Sequence, residues 1–64
     1  MRMSSRSYTI CFVNENTEGW IRTSDEGKVF SGSDNLLHHV MSLDISDALK
    51  VLELKGWEVE SWIP

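Results

Sequence analysis

The residues of this chain that could do chemistry are two histidines, one cysteine, ten carboxylates and a scatter of serines. His38 and His39 are adjacent. A helix presents a metal with ligands three or four residues apart, because those side chains share a face. Neighbours point roughly 100° apart on a helix, and no C-x-x-C or H-x-x-x-H accompanies them. They read as a polar helix face or loop. Cys11 as a nucleophile would need a base and an electropositive setting. It stands in the apolar run Tyr8-Thr9-Ile10-Cys11-Phe12-Val13, where a free cysteine behaves as a small hydrophobe. No serine falls in G-x-S-x-G or S-x-x-K. Glu58 with Glu60, and Asp44 with Asp47, are spaced for acid–base work, but a catalytic carboxylate needs a cleft that perturbs it, and a chain this short offers little concavity. Gly19, Gly27, Gly32 and Gly56 are too far apart for a phosphate-binding loop. The reading is of a chain that is not an enzyme and has no metal or cofactor.

The elements that would position these residues follow from periodicity. Residues 8–13 are rich in β-branched and aromatic types and read as a strand. Tyr8, Ile10 and Phe12 share one face, Cys11 and Val13 the other. Both faces are fairly apolar, which suggests a central strand or a second covered face. A turn cluster at 14–19 leads to a strand over Trp20–Thr23. A second turn at 24–27 leads to a third over Lys28–Ser31, which completes a β-meander. Gly32–Asn35 breaks the pattern. Leu36, Leu37, Val40 and Met41 then fall at helical spacing, with Ser33 or Asp34 as the cap.

The best-marked helix carries Ile45, Ala48, Leu49 and Leu52 as one apolar stripe. Ser42 or Asp44 would cap its start, and Gly56 is placed for a left-handed cap at its end. Val51 and Leu54 lie off the stripe. Trp57, Val59, Ser61 and Ile63 alternate with Glu58, Glu60 and Trp62, which predicts a half-buried strand ended by Pro64. The expected fold is α+β, a small, mainly antiparallel sheet (β-β-β-α-β) with one main helix packed on one face. Residues 1–7 read as a flexible tail and 8–64 as a single domain.

Sixty-four residues are room for one domain. A domain of this size buries only about 60% of its unfolded surface, so it depends on good packing or association. One cysteine excludes an internal disulfide and fits a reducing, cytoplasmic setting. No run of ~18 apolar residues is present to span a membrane, and no apolar stretch after Arg2 and Arg6 makes a secretory signal. The formal net charge is −4. Without residues 1–7, four bases (Arg22, Lys28, Lys50, Lys55) face ten acids, a balance of −6. Phosphate repulsion argues against nucleic acid as a partner. The same charge suits a basic protein partner.

The tryptophans give the most specific expectation. On a regular strand Trp57 and Trp62 have opposite parity, so both cannot face the helix. The face away from the helix would then show Trp62, Val13, Cys11 and Trp20, unless the 33–41 segment folds back over it. Exposed apolar patches of this kind mark protein interfaces, and tryptophan is enriched among binding anchors. Trp62, Trp20 and Val13 are the expected anchors, with Glu58 and Glu60 as an acidic rim. The outer strand edge offers a further place for another sheet to add. The expected role is a small acidic interaction module. The alternative is a self-associating, homodimeric structural or housekeeping domain.

The segment Asp47-Ala48-Leu49-Lys50-Val51-Leu52-Glu53-Leu54-Lys55-Gly56-Trp57-Glu58-Val59 resembles the A-L-…-L-…-G-W-E-[LV] ending of small bacterial and phage α+β domains, in which a helix ends at the glycine and a strand begins at the tryptophan. The overall layout is also similar to the short phage protein that inhibits host RNA polymerase, acidic on its working face. The resemblance covers about a quarter of the chain. What it implies is the fold alone; a phage-type inhibitor or modulator of a host or cellular protein is one form the expected interaction module would take. The resemblance carries over no functional residue.

Overall fold

A computed structural model describes residues 7–63. The element order is β1 (Thr9–Val13), β2 (Glu18–Thr23), β3 (Val29–Gly32), α1 (Asp34–Val40), α2 (Ile45–Leu54) and β4 (Glu58–Ile63). The strands form one antiparallel sheet in the order β3-β2-β1-β4, so β1 is central, as its two apolar faces imply. The fold is α+β, with two helices on the sheet. The expected tail, apart from Ser7, and Pro64 lie outside the described residues.

The meander is set by two turns. Asn14 folds the first: its side-chain oxygen accepts the N–H groups of Asn16 and Thr17, both at 3.2 Å. This turn fixes the register Cys11↔Trp20 and Val13↔Glu18. In the second, Ser24 Oγ accepts from Glu26, and Gly27 takes a positive φ of 81°, which suits a residue without Cβ. Gly32, expected to break the strand, is its last residue and lies opposite Ile21.

The core lies between the sheet and the helices. Ile10, Phe12, Ile21 and Val29 from the strands meet Leu36 and Val40 of α1, Ala48 and Leu52 of α2, and Trp57. Leu36 and Val40 belong to the same cluster as Ala48 and Leu52, so both helices cover the same side. Val51 packs against this core, whereas Leu54 points to water, 87% exposed.

The helix ends are held by backbone rather than by the expected side-chain caps. Ser33 and Asp44 occupy the N-cap positions, but neither side chain caps the helix, and Ser42 lies before the cap at a positive φ of 69°. Ser33 instead sews α1 to β2: its Oγ accepts the Trp20 N–H at 3.0 Å and donates to Asn35 at 2.7 Å. At the end of α2 the Trp57 N–H donates to Leu52 O and the Gly56 N–H to Glu53 O, both at 3.0 Å. With Gly56 at φ 93°, this is the left-handed cap read from the sequence. It also seats Trp57 beside Leu52 in the core.

Candidate functional site: the uncovered sheet face

Paired residues of an antiparallel sheet point to the same side. Ile10 and Phe12 point to the helices, so Thr9, Cys11 and Val13 point away, together with their partners across the sheet. Three rows result. Glu18, Val13 and Glu58 form one end. Trp20, Cys11 and Ser61 form the middle, and Arg22, Thr9 and Ile63 the other end. Neither helix covers this side. Trp20 is 39% exposed and Ile63 49%, while Cys11 and Val13 are half-buried by their neighbours.

A shallow depression of about 450 Å³ runs between Trp20 and Glu60, with Cys11 and Glu18 on its lining. Its walls mix an indole, a thiol and two carboxylates. Arg22 lies at the far end, where its Nε donates to Thr9 Oγ1 at 3.2 Å. The face therefore has an apolar middle, an acidic end and one base opposite.

Trp20, Val13, Glu58 and Glu60 are brought together here, as their positions in the sequence suggest. Trp62 is not. The β1–β4 register shifts between Cys11 and Phe12: Ser61 pairs with Cys11, Val59 with Phe12, and Glu60 is the extra residue between them. A bulge of this kind resets the alternation of the strand. Trp62 then pairs with Ile10 and points to the helix side, where its ring packs edge-on against Tyr8, centroids 6.0 Å apart. Ser61 and Ile63 cross to the open face for the same reason. The expectation of a half-buried strand also fails, since all six residues of β4 are exposed. The helical layer does not extend over this edge, so even Val59 is 44% exposed on the helix side. Cys11, expected as a small hydrophobe in an apolar run, is half-buried at the open surface.

Glu18, Arg22 and Ile63 were missed as members of the face. Glu18 is hidden by a turn cluster that reads through 14–19, whereas β2 begins at Glu18; a turn over 14–17 places Glu18 and Arg22 opposite β1. Nothing in the residue types of β4 marks the bulge that moves Ile63.

The histidines adopt an arrangement unlike the expected divergence. Their ring centroids are 4.0 Å apart, and His38 Nδ1–H donates to the Asp34 carbonyl at 2.7 Å. Desolvation, followed by the charges of His38 and Lys55, holds His39 below the usual histidine value. Among the described residues, no three His, Cys, Asp or Glu side chains gather to hold a metal ion, and no buried side-chain polar atom lacks a partner. No described helix is long and apolar enough to cross a membrane.

These features define a small α+β domain with helices on one side of its sheet and an open, aromatic-bearing face on the other. Comparison with protein-family models, curated proteins and solved structures finds no match to this chain.

Proposed function

We propose that this chain is a non-enzymatic protein-interaction module of the cytoplasm, an inhibitor or modulator of another protein, and that its uncovered sheet face docks a basic patch on that partner. One observation carries the reading: both helices lie on one side, which leaves Trp20 exposed between half-buried Cys11 and Val13, with Glu18, Glu58 and Glu60 at the rim. A large aromatic in an apolar centre, ringed by charge, is the usual anatomy of a binding anchor. Three acids against Arg22 give the face a negative balance, which steers a basic partner and repels phosphate.

The test is retention of partners from the cell of origin on the immobilised chain, compared with Trp20→Ala and with Glu58→Lys/Glu60→Lys. The expected partner is basic. It is lost with either variant, released by salt, and slows alkylation of Cys11 while bound. Equal retention by all three chains overturns the reading. A chain that retains only itself and sediments as a dimer assigns the face to self-association instead.

A further inference from the structure

The two edges of the sheet are treated differently. β3 is met at its start by residues 42–45: the Val29 N–H donates to Leu43 O, the Ser42 N–H to Val29 O and the Ile45 N–H to Gly27 O, at 2.8–2.9 Å. β4 pairs with β1 alone, and among the described residues nothing pairs with its outer edge. A six-residue edge strand with free backbone donors and acceptors is a template for another strand.

The helix side of this edge is grooved. Two clefts open on it, one at the end of the sheet and one between α2 and β4. The first, of about 610 Å³, is lined by Tyr8, Thr23, Asp25, Glu26 and Gly27 together with Ile45 and Trp62, so it belongs to the end of β1, β2 and the turn after it. The other, of about 450 Å³, is walled by Leu49, Trp57 and Val59. An inward side chain of a strand added beside β4 would meet the cleft walled by Leu49, Trp57 and Val59. On the opposite face the same strand would run beside Glu58 and Glu60.

We propose that the β4 edge and the α2–β4 groove take an extended segment of a partner protein as a fifth strand. An apolar side chain fills the cleft beside Val59, and lysine or arginine at the alternating positions pairs with Glu58 and Glu60. This inference rests on the reading of the chain as an interaction module and names the chemistry of its partner. A second copy does not fit the same place. Pairing β4 with β4 brings the glutamates of both copies onto one face, and like charges on neighbouring strands are unfavourable. No lysine or arginine lies in β4 to relieve them.

The test is titration of the whole chain with a hexapeptide of alternating valine and lysine, against a peptide of the same composition in two blocks. Amide hydrogen exchange and Cys11 alkylation are followed together. The alternating peptide is expected to slow exchange of β4 amides at least tenfold and to bind at least tenfold tighter than the block peptide. Glu58→Gln/Glu60→Gln, at exposed positions that leave melting unchanged, should weaken it at least tenfold; Trp20→Ala should leave it within twofold. Equal binding of the two peptides overturns strand addition, as does absence of binding. Protection of Cys11 with β4 exchange unchanged also overturns it, yet leaves the open-face reading standing. That reading fails separately, through the Trp20→Ala retention experiment.

Discussion

Replacing Gly56 with alanine isolates the cost of one backbone conformation. Gly56 stands at φ 93° and closes α2 through the bonds from Trp57 to Leu52 and from its own N–H to Glu53. A Cβ added there meets nothing within 4 Å. No steric term enters, and both hydrogen bonds can persist. The left-handed conformation costs an L-residue about 1–2 kcal/mol. Alanine also stiffens the unfolded chain, which returns about 0.4–1 kcal/mol. The net loss is about 1 kcal/mol, a fall of roughly 4–8 °C in Tm for a domain of this size. Urea and thermal denaturation followed by circular dichroism would measure it. Gly56→Asn should lose less, because asparagine tolerates this region. Unchanged melting of Gly56→Ala, or an asparagine variant as damaged as the alanine one, would refute the reasoning.

Two further outcomes follow from local geometry. Gly32→Ala places a Cβ 2.7 Å from the Trp20 carbonyl oxygen and 3.2 Å from Ile21 Cα, both backbone atoms that cannot swing aside. Its loss should exceed that of Gly56→Ala, at about 2–3 kcal/mol, and equal melting of the two variants would contradict the close approach. His39 should titrate below the ordinary value of 6.5, and His38→Gln should raise it only part of the way, since desolvation is the larger cause. The unfolded chain then takes the proton first as pH falls, so the His39 contribution to stability is present above the ordinary value and declines below it. An NMR titration with His39 at or above 6.5 would remove this dependence.

Much of the fold was legible because it is written in local spacing. The stripe Ile45, Ala48, Leu49 and Leu52 specified α2, and Gly56 its end. The turn clusters at 14–19 and 24–27 specified the meander, though the first ran two residues too far, and two apolar faces marked β1 as an inner strand. Trp20, Val13, Glu58 and Glu60 share the open face because their positions relative to β1 need only regular pairing, or a place before the bulge or on it.

What local spacing could not reach depends on contacts between distant segments. Trp62 changed sides because β4 inserts Glu60 opposite β1, and a bulge is a property of two strands rather than of one. Gly32 belongs to β3 because the Trp20 backbone lies against it, which only pairing reveals. Both helices chose one side because Leu36 and Val40 complete the same core as Ala48 and Leu52; their spacing says that they bury a face but not against what. The chain by itself thus determined which segments are helix, strand and turn, since those depend on neighbours in sequence. The tertiary structure decided which side of the sheet stays open and which edge stays bare, since those depend on how buried faces share one core.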